Sequence, residues 1–574
     1  MSTNTVLKQA GAYGTITDTD PSAKPQAPSI VETEDTVSIS SDGSYQLSSH
    51  SPLDADEEAR LLNGPKDDLT TADDIKDNGT PARLIAVLLL GVFISNADGS
   101  FVLATNGVIS SEFGRLDDAS WLVTVYMLSM CALQPIFGKL SDIYGRKSML
   151  LISYTFFGAG CLYSGIAQTL NGVIIGRAIS GIGGAGMMAL VSILITDLVP
   201  QREIAAWRAY VNIAATTGRS LGGPTGGYLT DTVGWRWSFA GQAPLIGVAA
   251  ILVAFRLPET TSSAPETSQK SKLSRIDFLG SFLLATTIVG FLLVLDLGGQ
   301  KLPWDSPYIT GLSTLSLVFL IAFCLVEIYV ASEPVFPLHL LRKNNIATSF
   351  SSLCLSSVSQ IGIMYTVPRY FQITRNSSVT AAGAQLIPAV VGNVIGGLIT
   401  GASVKRTGRY KLLLVAAGAV SSVASTLLIL RWNGHTGFLE SLYIFPGGFG
   451  MGLSQASSFV AMTAGLEKEY YAVATGGLYL SSSIGAMAGV SLVNVVLENA
   501  VRKILVKRVV GPGSEDIIER AIKDVEYIGT LKGSLRDIVV SSYVTSLKYS
   551  YGVTLFSSAL AFVVGLMVQE KRLE

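Results

Sequence analysis

The sequence predicts an all-α polytopic membrane protein, built as two six-helix pseudo-repeats with two further helices inserted between them. Three observations carry this prediction. Apolar stretches of about 20 residues, the length that crosses a hydrocarbon core, recur along most of the 574-residue chain. Lys and Arg concentrate in alternate connecting loops. The turn "GKLSDIYGRKS" at Gly138–Ser148 returns in blurred form as "GASVKRTGRYK" at Gly401–Lys411. Gly138 and Gly145 in the first turn match Gly401 and Gly408 in the second.

Composition narrows the function classes. The chain is 49% hydrophobic and only 14% charged, too apolar for an ordinary soluble protein. Its net charge of −1 offers no basic surface to nucleic acid. Cys131, Cys161, Cys324 and Cys354 all lie inside apolar stretches without metal-ligand spacing, so they read as small buried hydrophobes. The three histidines are scattered. No GxxxxGK[ST] loop, zinc spacing or nucleophile–base set appears. The expectation is a protein that is not an enzyme, holds no metal or cofactor, and draws its energy from an ion gradient.

The elements follow in order. Residues 1–80 are rich in Ser, Thr, Asp and Glu and read as a disordered acidic cytosolic tail. They lack the basic start and apolar core of a signal peptide. Within them "EEARLL" places Glu57 four residues before Leu61 and Leu62. It resembles an acidic dileucine signal read by trafficking adaptors. About fourteen apolar spans follow, near 84–108, 119–138, 149–169, 172–197, 209–229, 239–256, 277–297, 308–331, 346–368, 382–404, 412–431, 438–461, 472–497 and 549–568. The first six form an N-terminal bundle over 84–256. A cytosolic linker and inserted helices 7 and 8 occupy 257–331. The C-terminal bundle covers 346–568 and includes a long lumenal loop, 498–548. In that loop "EDIIERAIKDVEYI" suggests an amphipathic helix on the membrane surface.

One set of short loops holds Lys139, Arg146, Lys147, Arg202, Arg208, Arg256, Arg342, Lys343, Lys405, Arg406, Arg409 and Lys411; the opposite set is poor in bases. Both termini are therefore expected in the cytosol. Asn376-Ser377-Ser378 is a glycosylation sequon, but in so short a loop it is expected to stay unmodified.

Some residues carry chemistry. Asp98 falls near the middle of the first helix, where a carboxylate is costly and is kept for a partner or a task. It can bind substrate or a proton, or bond to a neighbouring helix with help from Asn96. Arg177, in the fourth helix, cannot deprotonate. It can restrain a nearby acid until substrate displaces it, or serve as a structural partner to Asp98 or a backbone carbonyl. Arg219 is a permanent cation among Gly218, Gly222, Gly223, Gly226 and Gly227. Three readings stay open for it: pairing with Asp98 or Asp197, repelling cationic substrates, or binding a substrate carboxylate. Those glycines and Pro224 allow close helix contact and bending, which suits a gate. Tyr126, Gln134, Tyr365, Gln372 and Asn393 are polar groups placed to face a cavity.

In the opening turn, Gly138 and Gly145 permit a sharp reversal. Asp142 can face the N-terminal end of the thirteenth helix near Thr475. Arg146 can pair with Asp197 and hold Asp142 in place. The expectation is a conformational latch rather than a substrate site.

These strings resemble a known family. "GKLSDIYGRKS" looks like the loop two–three signature of the major facilitator superfamily. "GRAISGIGGAG" from Gly176 resembles its fourth-helix motif, and "GRSLGGPTGG" from Gly218 the Gly-Pro motif of its proton-coupled antiporters. "NADGSFVLAT" from Asn96 and "ASWLVTVYMLSMCALQPIFGKLSD" resemble the fourteen-helix drug:proton antiporter branch. "YFQITRNSSVTAAGAQLIP" and "VKRTGRYK" match its second half. In "GWRWSFAGQAPL" the final "GQAPL" is similar to fungal vacuolar basic amino acid transporters, where toxin exporters of the branch usually carry an aromatic and "INLP". The resemblance implies a major facilitator fold, a role for Arg177 in proton transfer, and proton-coupled movement of Arg, Lys and His across the vacuolar membrane. Small-molecule substrate, protons and lipid bilayer are the implied partners. A plasma-membrane exporter of drugs or a secondary metabolite, and a non-transporting nutrient sensor, are the alternatives.

Overall fold

The computed structural model describes residues 80–115, 118–257, 275–298, 302–331, 333–509, 514–523, 525–571 and 573. Glu57, Leu61 and Leu62, with the rest of the acidic tail, lie outside the described residues, as does linker segment 258–274.

The chain is helical nearly throughout. Helix α1 spans Thr80–Glu112, α2 Trp121–Tyr144, α3 Arg146–Ile166, α4 Leu170–Leu198 and α5 Gln201–Val233. A short helix, Trp235–Ala240, leads into α6, Gln242–Arg256. Helices α7 (Phe278–Leu297) and α8 (Pro307–Tyr329) follow. The second group is α9 (Asn344–Arg375), α10 (Ile387–Thr407), α11 (Lys411–Arg431), α12 (Phe445–Thr463), α13 (Tyr471–Arg508) and α14 (Gly533–Met567). Among the described residues, twelve helices are long and apolar enough to cross a membrane. Helices α5 and α12 fall outside that set because Gly, Ser and Thr, together with charged residues in α5, dilute their apolar character. Both pack against other helices, α5 on α1 and α10, and α12 on α10 and α11. Polar positions are tolerated there because protein, not lipid, faces them.

The two groups repeat each other. Helices α1 to α6 bury one apolar core that includes Leu88, Tyr154, Phe157 and Leu190. Helices α9 to α14 bury another, around Tyr370, Phe371, Trp432 and Tyr551. The inserted helices α7 and α8 pack as a pair, with Leu283, Leu284 and Ile288 of α7 against Leu128 and Cys131 of α2. The α8–α9 loop reaches back to the α2–α3 turn: Glu333 bonds Arg275 at 2.9 Å and Lys139 at 3.3 Å. Partial burial pushes the Glu333 carboxyl up, but the Arg275 and Lys139 bonds and charges outweigh it and hold it below the usual carboxylate range. Glu327 caps the same loop through the N–H groups of Val335 (3.1 Å) and Phe336 (3.2 Å). Asp296 accepts from Thr124 of α2.

Within 498–548, α13 runs on to Arg508, helices Ser514–Lys523 and Val525–Thr530 follow, and α14 begins at Gly533. The Ser514–Lys523 helix is amphipathic. Its apolar residues Ile518 and Ala521 join a buried cluster with Val501, Leu505, Val539 and Tyr543. The Tyr543 hydroxyl donates to the Ala521 carbonyl at 2.7 Å.

Among the described residues, the direct hydrogen bonds and ion pairs between the bundles lie towards one end. At the end carrying the two repeated turns, the Gln201 amide donates to the Tyr471 hydroxyl (2.8 Å), Arg202 to the Leu573 carbonyl, and Lys405 pairs with Glu203 (2.9 Å). One step deeper, the Asn212 amide meets the Asn393 side-chain carbonyl. Beyond that pair no hydrogen bond or ion pair joins α5 to α10 among the described residues. From Gly218 onward α5 instead lies against Phe93, Ala97 and Phe101 of α1. The structure is closed at the basic-turn end and parted at the other.

Candidate functional site

Inside the first bundle is a buried ion pair. Asp98 is 0% and Arg177 1% exposed, and Arg177 Nη1 lies 2.6 Å from Asp98 Oδ2. Arg177 Nε donates to the Leu122 carbonyl at 3.2 Å, and its guanidinium sits 4.3 Å above the Tyr126 ring. The Tyr126 hydroxyl is 3.0 Å from Ser95 Oγ. Gln242 Nε2 donates to Asp98 Oδ1 at 3.1 Å. Asn96, the expected helper, turns back to its own helix at the Val92 carbonyl (2.8 Å). Four helices thus supply one carboxylate, one permanent cation and neutral donors around them. With the pair so enclosed, a solute in the cleft meets it only after side chains move.

The α2–α3 turn is a second unit. Gly145 has φ of +90°, a conformation that favours glycine and lets α3 start one residue after α2 ends. Arg146 bonds Asp142 at 2.5 Å and Asp197, at the end of α4, at 3.1 Å. A Cβ on Gly138 would stand 2.8 Å from the Ala472 carbonyl oxygen, so α2 is in backbone contact with the first turn of α13. Asp142 lies one helical turn further towards that end. The repeated turn makes the mirror contact: α10 crosses α5, and Lys405, at the position equivalent to Asp142, pairs with Glu203 in the first turn of α5. Thr475 lies deeper, between Ala472 beside Gly138 and Gly476 beside Pro135, and its hydroxyl has no partner among the described residues, so the expected approach of Asp142 to Thr475 is not formed; Asp142 bonds Arg146.

The other expected residues are spread out. Gln134, 2% exposed, lies where α2 meets α13 at Gly476, with its side-chain oxygen unpartnered. Asn393 forms the cross-bundle contact with Asn212. Tyr365 donates to Asn494 Oδ1 (2.7 Å), which also accepts from Arg369 (3.1 Å), while Asn494 donates to Glu498 (2.8 Å). That polar cluster joins α9 to α13 towards the parted end. Gly218 and Gly222 pack on α1, whereas Gly223 and Gly227 have no atom within 4 Å of a Cβ position and Pro224 is exposed. Close packing therefore explains only part of that motif. Arg219 pairs with neither Asp98, held by Arg177, nor Asp197, held by Arg146. It is exposed, and no ion pair or hydrogen bond reaches its side chain among the described residues.

Sequence reasoning passed over Arg208, reading it as a loop base. The helix starts at Gln201, which carries Arg208 inside, where it is 5% exposed between the bundles. Its guanidinium donates to Ser192 Oγ of α4 and, at 2.5 Å, to the Tyr479 hydroxyl of α13, and lies 4.3 Å over the Phe459 ring of α12. The available signal was spacing: Arg208, Asn212 and Arg219 recur at helical intervals on one stripe of α5.

Comparison with known proteins agrees with this architecture. The family model described as Major Facilitator Superfamily matches residues 88–490. The vacuolar membrane amino acid uptake transporter fnx2 of Schizosaccharomyces pombe is 32% identical over 492 residues, 86% of this chain and 85% of that protein. The multidrug resistance protein fnx1 of the same yeast is 32% identical over 496 residues, 85% of this chain and 92% of that protein. Vacuolar basic amino acid transporter 2 of Saccharomyces cerevisiae is 27% identical over 460 residues, 78% and 97% of the two chains. The solved structure of the proton:xylose symporter XylE shares the fold, with TM-score 0.53 at 14% identity over 84% of this chain and 95% of that one. With a superfamily model spanning most of its helices and relatives of this identity along most of its length, the chain belongs to the Major Facilitator Superfamily and is a membrane transporter.

Proposed function

We propose that this protein is a proton-coupled secondary transporter of the vacuolar membrane that moves Arg, Lys and His into the lumen by alternating access. The observation that carries the coupling is the buried Asp98–Arg177 pair: one titratable acid held by one cation that cannot titrate. The substrate class is supported by the relatives named as vacuolar amino acid transporters. On this reading the closed, basic-turn end is cytosolic and the cleft opens to the lumen. A lumenal proton on Asp98 loosens its hold on Arg177, which carries the change to Leu122, Tyr126 and the α4 backbone. The cytosolic latch formed by Asp142, Arg146 and Asp197 then releases, and solute loads from the cytosol. The proton gradient is the only energy source invoked, and "EEARLL" supplies the address to the vacuole through a trafficking adaptor.

The test is uptake of labelled arginine, lysine and histidine into vacuoles isolated from cells with and without the gene. Uptake is expected to need this chain and to stop with proton uncouplers. Uptake that survives uncouplers, or that is equal in the deletion strain, overturns the reading. Likeness to a protein named for multidrug resistance favours a second reading, an exporter of drugs at the plasma membrane. A tagged chain found there, with drug sensitivity on deletion, would decide for it.

A further inference from the structure

Helix α5 presents two arginines to the space between the bundles, and neither has an acidic partner among the described residues. At 3.6 residues per turn, Arg208, Asn212 and Arg219 fall within about 40° of one another around the helix. Their stripe runs between the one that packs on α1 (Gly218, Gly222) and the one that meets α10 (Ala206, Ala209), so it faces the centre. Asn212, bonded to Asn393, marks where the bundles close. Arg219 stands about two turns to the open side of that mark, and Arg208 about one turn to the closed side.

The charge at Arg208 is the unusual feature. Arg177 and Arg146, also largely buried, each hold carboxylates. Arg208 has only the hydroxyls of Ser192 and Tyr479 and two aromatic faces, and its Nε is buried without a partner. A small cavity of about 10 Å³, room for one water, lies beside it between Asn212, Gly397, Gly452 and Gln455. The Gln455 side-chain oxygen is likewise unpartnered. A permanent cation removed from water without a counter-ion is costly, and a carboxylate accepting two guanidinium N–H bonds offsets that cost.

We propose that Arg208 and Arg219 are two stations for the carboxylate of the transported solute, one on each side of the closure point. As the bundles rock, Arg219 is reached from the parted end and Arg208 from the basic-turn end. The Ser192 and Tyr479 hydroxyls hold the Arg208 fork while it is empty. The solute therefore carries a free carboxylate, which selects an amino acid over its decarboxylated amine. This rests on the amino acid reading above and narrows it to the group recognised.

The test uses the full chain in proteoliposomes with arginine, argininamide and agmatine, which respectively keep, mask and lack the carboxylate. Wild type is expected to show a KM for arginine about tenfold or more below that for argininamide, the size of one charge-assisted contact. Arg208→Gln and Arg219→Gln should each erase that preference by weakening arginine alone. Arg208→Lys should retain part of it, and Tyr479→Phe should slow transport while keeping it. Equal handling of arginine and argininamide by wild type overturns the proposal, as does an unchanged ratio in both Gln variants. If no basic amino acid is carried, the function reading fails by itself. Thermal shifts of the purified chain with benzoate against benzamide, and glutamate against glutamine, then decide. Carboxylate-selective stabilisation lost in Arg219→Gln sustains the two stations, and its absence overturns them.

Discussion

Asp98→Asn leaves Arg177 charged, 1% exposed and without a counter-ion. What stays near the guanidinium is the Leu122 carbonyl, the Ser180 hydroxyl and the faces of Tyr126 and Phe239, all neutral. Removing one member of a buried pair costs about 3–5 kcal/mol, much of it the penalty of the orphaned charge. At about 1.4 kcal/mol per tenfold, that is a shift of 100-fold or more in the unfolding equilibrium. Arg177→Gln orphans Asp98 instead, though Gln242 still donates to it, so a similar or slightly smaller loss is expected. The double variant removes both charges and should recover most of the stability, because the desolvation cost goes with them. Equilibrium unfolding of the purified protein in mixed detergent–SDS micelles measures all three. Transport separates structure from coupling: the double variant should regain stability yet remain inactive in proton-driven uptake. If the two single losses simply add, the charges are not coupled as the geometry requires. If the double variant regains transport as well, the pair is structural and the proposed coupling is wrong.

Other expectations follow from the same coordinates. If Asp142 belongs to the proposed latch with Arg146, Asp142→Asn should slow transport several-fold while sparing KM; a change confined to KM counts against that. Gly138→Ala places a methyl 2.8 Å from the Ala472 carbonyl oxygen and should wedge the bundles apart at the basic-turn end. Cysteine labelling there should rise and labelling at the parted end should fall. Lys405→Glu sets like charges against Glu203 and should shift accessibility the same way, while Lys405→Glu with Glu203→Lys restores it. Glu333 has a depressed folded-state carboxyl, so its contribution is present at neutral pH and lost as pH falls through the folded value. Protease resistance of the α8–α9 loop should drop in acid in the wild type and be pH-independent in Glu333→Gln. Since Glu333 is about one-third exposed, the effect should be small.

Much of this molecule is written in local pattern. A span of about 20 apolar residues can satisfy its backbone in lipid only as a helix, so the order of the strongly apolar elements follows from composition along the chain. The paired glycines and bases of the two turns disclose the repeat, since each marks the same reversal after the second helix of a bundle. The partners of Arg146 were legible too: Asp142 is one turn away on the chain, and Asp197 lies at the end of the next helix. Chain patterning also hid things. The dilute apolar character of α5 and α12 makes them weak spans by composition, yet they are long helices because their polar faces meet protein. Arg208 looked like a loop base because its helix begins before its apolar stretch does.

What the tertiary structure decided is which faces meet. Asp98 and Arg177 lie 79 residues apart, and nothing local says that α1 and α4 bring them to 2.6 Å, or that this removes Asp98 as a partner for Arg219. The Asn212–Asn393 closure spans 181 residues, and the Lys405–Glu203 pair joins one bundle to the other. Helical periodicity fixes which residues share a stripe on one helix. The pairing of stripes is set by shape, by backbone approaches such as that of Gly138 to Ala472, and by the need of each buried charge for a partner. Those conditions exist only once the helices are packed, which is why the sequence could nominate Arg219 as a cation needing a role and only the assembled bundles could show it, with Arg208, facing the space between them.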